Sequence, residues 1–331
     1  AETKDSCPST PTPMPAAQVA AINSALEPYI IKGMQDWKIP GLSIAIVKNG
    51  VPVYTKGFGV RELGKPDLVN ENTQFGMMST TKAMTALAIA MLVDEGKVAW
   101  DDPVTKYLPW FELSDPYVTH ELTIRDLLTH NSGLSNTDLL WVRGDMSSRQ
   151  VIEHLRGVKL SYSLRAGLPW QQFVQTRIMD PIGMTQSQPT LALMRSQKNP
   201  NTSTAHFEID GQIRSIAENP VDTVPAAGAA WSTASDSSKW LAFLLADGCV
   251  GSKRLVSVEN FHALLQPQVM ITRLDGFYPT AALTKPHWMS YGYGWFQQDY
   301  QGKFVAMHTG SMDGRTAIIG LMPDENLGVS I

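Results

Sequence analysis

Apolar positions change their period several times along this chain. Between residues 16 and 37, Val19, Ile22, Leu26, Tyr29, Ile30 and Trp37 mark an amphipathic helix. Pro40-Gly41 ends that pattern, and residues 42–47 (L-S-I-A-I-V) read as a largely buried strand. Lys48-Asn49-Gly50 turns the chain and residues 53–58 return it, since Asn-Gly between two such runs is a strong hairpin signal. From Ala83 to Val93 ten of eleven side chains are apolar, Thr85 being the exception. Met84, Leu87, Ala88, Met91 and Leu92 share one helical face and the other face is apolar too. The spacing therefore predicts a helix buried all round, stopped at Gly96.

Shorter helical patches follow at 101–109, 122–128 with Thr123 as cap, 147–155 and 170–179. Residues 185–224 are polar and irregular and are expected to form long loops. Residues 235–247 are amphipathic again, with Trp240, Leu241, Leu244 and Leu245 inward. Strand signals return only near the end, at 291–296, 304–308, 316–322 and 328–331. Strands at both ends with helices between predict an α/β (α+β) fold whose antiparallel sheet is built from both termini. The expected division is a flexible tail at 1–15, a sheet lobe from 16–76 and 286–331, and an inserted, mostly helical lobe at 77–285. The site is expected where the lobes meet.

Composition narrows the function. A chain of 331 residues can bury a large core, and its net charge of -4 leaves no basic footprint for nucleic acid. Its longest apolar run, near eleven residues, is too short for a transmembrane segment. Oligomeric state is not legible. The chain opens with Ala, as a processed, exported protein (periplasmic or secreted) or a trimmed one would, with no signal peptide in the sequence given. Cys7 and Cys249 are the only cysteines, and they form no C-x-x-C or metal cluster. They could pair in an oxidising compartment, or Cys7 could stay free in the tail. His120, His130 and His154 lack metal-ligand spacing, so neither metal nor other cofactor is expected.

The candidate chemistry heads the apolar helix, in F-G-M-M-S-T-T-K (75–82). Positions i and i+3 share a helical face, so Ser79 and Lys82 can point into one cavity. A lysine dehydrated on such a helix is easier to neutralise, and a neutral amine beside a hydroxyl can take its proton and make a nucleophile. The pair equally fits a serine cap followed by a lysine that reaches solvent.

Further stretches bear on that choice: L-T-I-R-D-L-L-T-H-N-S-G-L (122–134), L-P-W-Q-Q-F…M-D-P-I-G-M (168–184), W-S-T-A-S-D (231–236), Y-G-Y-G-W (291–295) and H-T-G-S (308–311). In that order they resemble the serine β-lactamase and penicillin-binding-protein superfamily, nearest its class C β-lactamase-like hydrolases, which include esterases, D,D-peptidases and D-aminopeptidases. The likeness runs from about residue 20 to the end. It implies a β-lactamase/transpeptidase-like fold, acylation of Ser79 with Lys82 as base, a small-molecule or peptide substrate, and no cofactor. It implies that His308-Thr309-Gly310 is the strand opposite the nucleophile, with the N–H groups of Ser79 and Ser311 holding the oxyanion. Such donors are worth roughly 3–4 kcal/mol each. Histidine at 308, where lysine is the alternative, is mostly neutral at pH 7 and tilts the reading from an efficient β-lactamase toward an esterase or peptidase.

The chain also departs from the pattern. The resemblance implies Tyr-x-Asn, whose tyrosine relays a proton; Tyr162 is the candidate, but it is followed by Ser163-Leu164. The water that releases the acyl group is expected to be activated by the Tyr162/Lys82 pair or by His308. A helix that family members carry after this tyrosine is replaced by Leu164-Arg165-Ala166-Gly167, which is expected to reflect omitted residues and a break between 161 and 167. The alternative is a β-lactam-binding sensor or pseudoenzyme that turns nothing over.

Overall fold

In strand β1 (Gly41–Lys48) apolar side chains fall on both faces, so both must be covered. Leu42, Ile44 and Ile46 face the N-terminal helix, Ala16–Asp36, through Leu26, Ile30 and Met34. Ala45 and Val47 join the main core, which Trp240, Leu241 and Leu244 enter from the helix Ala234–Leu245. A sheet with helices on both faces results. The computed structural model describes residues 6–9, 11–132, 141–142, 145–155, 169–219, 221–271 and 284–331.

After β1 the chain turns at Asn49 and Gly50, with φ of 55° and 71°, the left-handed pair that a tight hairpin requires, into β2 (Val51–Gly59). The remaining strands are β3 (Phe75–Gly76), β4 (Ala205–Ile209), β5 (Gln212–Ile216), β6 (Trp231–Ser232), β7 (Cys249–Val250), β8 (Lys253–Arg254), β9 (Val269–Met270), β10 (Met289–Tyr291), β11 (Phe296–Tyr300), β12 (Lys303–Met312), β13 (Arg315–Met322) and β14 (Leu327–Ser330). The main sheet runs β2-β1-β14-β13-β12-β11-β10-β9, antiparallel throughout. Ala45 lies opposite Ser330 and Lys48 opposite Leu327, so the sheet is stitched from the two ends of the sequence, as the strand pattern predicts.

The apolar run after Ser79 is the helix Thr81–Asp94, with ten of its fourteen residues buried. It stops as expected. Gly96 is left-handed, its N–H donates to the Val93 carbonyl, and that of Lys97 donates to the Leu92 carbonyl. Among the described residues no helix is long and apolar enough to cross a membrane.

Three expectations need correction. Residues 185–224 are not all loop: they hold the helix Leu191–Ser196 and the hairpin of β4 and β5. That hairpin escapes a search for apolar alternation because most of its side chains are exposed. Residues 291–296 are not one strand but the end of β10 and the start of β11, joined by a turn whose Gly294 has a φ of 74°. The tail is not wholly loose, since Cys7 is bridged to Cys249 and the Thr12 carbonyl accepts from Asn49 Nδ2 at 2.8 Å.

The bridge joins residues 242 apart and constrains the unfolded chain strongly. Reduction should lower the melting temperature, by the equivalent of about 2–4 kcal/mol. Thermal scans with and without reductant check this: wild type should shift and Cys7→Ser should not.

Candidate active site

The approach to Ser79 is set before the helix begins. Strand β3 pairs with β6, and Met77 N–H donates to the Ala230 carbonyl at 2.7 Å. Met78 then adopts a φ of 48°, a left-handed backbone unusual for a residue with a side chain. A single 3₁₀ turn, Met78–Thr80, leads into the helix, tied by Thr80 Oγ1 donating to the Met77 carbonyl at 2.7 Å. This corner leaves Ser79 half-buried and turned toward Lys82.

Lys82 Nζ donates to Ser79 Oγ at 2.8 Å and to the Ala227 carbonyl at 2.9 Å. The second contact comes from the short helix Pro225–Gly228, which also accepts Thr85 Oγ1 at the Ala226 carbonyl, at 2.6 Å. Trp170 Nε1 donates to Thr85 Oγ1 at 3.1 Å. The ammonium is thus aimed by two oxygens from different parts of the chain. With the amine neutral, the serine contact can run in reverse, hydroxyl to nitrogen.

Strand β12 closes in from the other side. A Cβ on Gly310 would lie 2.7 Å from both Ser79 N and Met78 Cβ and 2.9 Å from the Met77 carbonyl oxygen. Only a glycine lets the two backbones approach so closely. Gly294 plays the same part against the helix, where a Cβ would meet the Lys82 carbonyl oxygen at 2.7 Å. Thr309 is half-buried and Ser311 exposed; Ser311 lines a groove of about 580 Å³ that touches neither Ser79 nor Lys82.

His308 is buried beside the site. Its Nδ1 lies 2.5 Å from the Thr309 carbonyl oxygen, which only accepts, so Nδ1 carries the proton. Nε2 then accepts from Tyr291 Oη at 3.0 Å. Burial first, then the charge of Lys82, pushes the imidazole down to about 3, and it stays neutral. His130 packs against Tyr291 with ring centroids 5.0 Å apart. With Lys82, Thr85, Tyr291 and Gly294 it lines a cavity of about 40 Å³. His130 is exposed as a residue, yet desolvation of its ring against this cavity, then the charge of Lys82, pushes its imidazole down to about 4.

The structure thus brings Ser79, Lys82 and Gly310 together, with Thr309 and His308 on the adjoining strand and Ser311 at its outer end. Tyr162 and residues 161–167, where a break was expected, lie outside the described residues. Sequence reasoning missed the Ala227 carbonyl, Tyr291, Gly294 and His130. The two glycines of Y-G-Y-G-W and the small-residue run P-A-A-G-A-A were the available signals.

A family model described as Beta-lactamase matches residues 26–331. The chain belongs to the beta-lactamase family. Its relatives include an unguisins hydrolase, ungD′, from Aspergillus campestris (strain IBT 28561), 26% identical over 89% of this chain. Another is protein flp from Staphylococcus aureus (strain N315), 26% identical over 92% of this chain. The chain spans 58% and 62% of these relatives' own lengths. Among solved structures, the octameric penicillin-binding protein homologue from Pyrococcus abyssi superposes with a TM-score of 0.77 at 24% identity, covering 93% of this chain and 72% of that one. This family member therefore has the fold of the serine β-lactamase and penicillin-binding-protein superfamily, as the motifs predict.

Gly310→Ala should push β12 off the Ser79 corner and cut the rate of Ser79 modification at least about tenfold, since a displacement near 1 Å can cost about 100-fold. Labelling kinetics on folded variant check it. The two imidazoles also make stability depend on pH. Both are neutral in the fold and take a proton near the ordinary 6.5 when unfolded. Their contribution is complete above about 6.5 and is lost as pH falls through 4 and then 3. Denaturant unfolding at pH 7 and pH 4 should show a smaller acid loss for His308→Gln than for wild type.

Proposed function

We propose that this protein is a serine hydrolase that works through an acyl-enzyme on ester or amide substrates. The observation that carries the reading is the 2.8 Å contact of Lys82 Nζ with Ser79 Oγ at a corner faced by β12. With Lys82 in its neutral amine form, Ser79 Oγ attacks the carbonyl carbon and its proton passes to the Nζ lone pair, leaving Lys82 as the ammonium. The carbonyl π pair moves to oxygen, which takes hydrogen bonds from Ser79 and Ser311 N–H. Collapse breaks the bond to the leaving group, which receives the proton from Lys82, with Tyr162 as the relay that the resemblance assigns. Water then attacks the acyl carbon, Lys82 takes its proton, and the proton returns to Ser79 as the product acid leaves. His308, expected as an alternative activator of that water, is assigned neither proton transfer in this reading, because both its ring nitrogens are engaged.

The neutral His308 offers no fixed cation to a substrate carboxylate, which favours esters and peptides over carboxylate-bearing β-lactams. A D-amino-acid peptide fits the same chemistry. Relatives named as hydrolases support turnover rather than sensing. The Cys7–Cys249 bridge supports export to the periplasm or beyond.

Intact-mass analysis with a fluorophosphonate and with a penicillin tests the reading, beside turnover of a chromogenic ester, a cephalosporin and a D-Ala-D-Ala peptide. A transient penicillin or ester adduct, absent in Ser79→Ala, is expected. Lys82→Met should slow acylation by about 10²–10⁴-fold, the usual worth of a general base. A permanent penicillin adduct with no turnover would mean a sensor, and no adduct with either reagent a pseudoenzyme.

A further inference from the structure

Arg315 opens β13, directly opposite Met312 and one pair beyond Ser311 and Thr316. It is 8% exposed, and its guanidinium makes four hydrogen bonds. Nε donates to Glu218 Oε1 at 2.6 Å and Nη2 to Glu218 Oε2 at 2.8 Å. Nη1 donates to Ser203 Oγ at 2.7 Å and Nη2 to the Ser203 carbonyl at 2.6 Å. The guanidinium carbon sits 4.6 Å from the centroid of a Trp231 ring.

These contacts join the two strands that frame the corner. Ser203 Oγ and Ser203 N–H both donate to the Gln74 carbonyl, at 2.9 and 3.0 Å, and Gln74 immediately precedes β3. Trp231 is paired with Gly76 of β3, and the Arg315 Cδ lies 3.5 Å from where a Cβ on Gly76 would be. Besides the direct approach of Gly310, a path from the β12–β13 turn to the approach of Ser79 thus runs through this side chain. Two further contacts hold the same turn: His206 N–H donates to the Gly314 carbonyl at 3.1 Å, and Asn219 Nδ2 to Asp313 Oδ2 at 3.0 Å.

A buried ion pair is a poor way to gain stability, because desolvating both charges offsets their attraction; an apolar side chain of like volume does as well or better. What the fork supplies is direction, since two parallel bonds to one carboxylate fix an orientation.

We propose that Arg315, held by Glu218, is a positioning residue that sets the spacing between the backbone N–H groups of Ser79 and Ser311. The role rests on the hydrolase reading above, in which those groups hold the oxyanion. It acts through the backbone and touches no substrate.

The test is the rate of Ser79 phosphonylation by a fluorophosphonate, whose adduct carries an oxygen where the oxyanion would be, in wild type, Arg315→Lys, Arg315→Met and Glu218→Gln. End-point mass gives the reactive fraction and thermal scans the folded fraction. The limiting rate should fall about 10–100-fold in each variant, with half-saturation within about twofold, full end-point labelling, and a melting temperature of Arg315→Met that is kept or raised. Guanidinium ion should restore part of the rate of Arg315→Ala. Variants that label at the wild-type rate overturn the positioning role, as do variants whose loss is matched by a lower folded or reactive fraction. A wild type that takes no label at Ser79 overturns the hydrolase reading, and this role with it.

Discussion

Two backbones meet without a side chain between them where β12 passes the Ser79 corner, and the site depends on that contact. Gly310 is the reason it exists, for any Cβ would collide with Ser79 N, Met78 Cβ and the Met77 carbonyl at once. The corner can be so tight because Met78 accepts a left-handed backbone, and it holds because β3, β6 and Ala230 pin the preceding residues. Gly294 repeats the device one turn along, against the Lys82 carbonyl. Ser79 sits in the 3₁₀ turn and Lys82 in the first turn of the buried helix that follows it, and glycines let the facing walls come within reach.

The polar groups around this corner are arranged so that few can change charge. His308 is locked as a neutral tautomer between Thr309 and Tyr291. Crowding and Lys82 keep His130 neutral as well. Among the described residues Lys82 is the basic side chain aimed at Ser79 Oγ, oriented by the Ala227 carbonyl. Environment assigns the roles here, more than residue type: three basic side chains lie near one another and one points at the hydroxyl.

Much of this was legible beforehand where the signal was periodic or short-range. The 83–93 run reads as a buried helix, Asn49-Gly50 as a tight turn, and the spacing of Ser79 and Lys82 lets them share a helical face. Contacts made at long range were hidden. Nothing in P-A-A-G-A-A says that the Ala227 carbonyl meets an amine 145 residues away, and nothing in Y-G-Y-G-W says that Tyr291 bonds His308. The β4–β5 hairpin was missed because it is held by its fastening to the β12–β13 turn, not by burial of an alternating face.

The order of strands has a consequence for how such a chain is made. β14 lies between β1 and β13, so β1 has only β2 beside it until residues 327–330 exist. A growing chain emerging from the ribosome can make its hairpins and helices early, but the seam that joins β1 to the rest of the sheet waits for residues 327–330. Pairing across so long a separation is slow by nature.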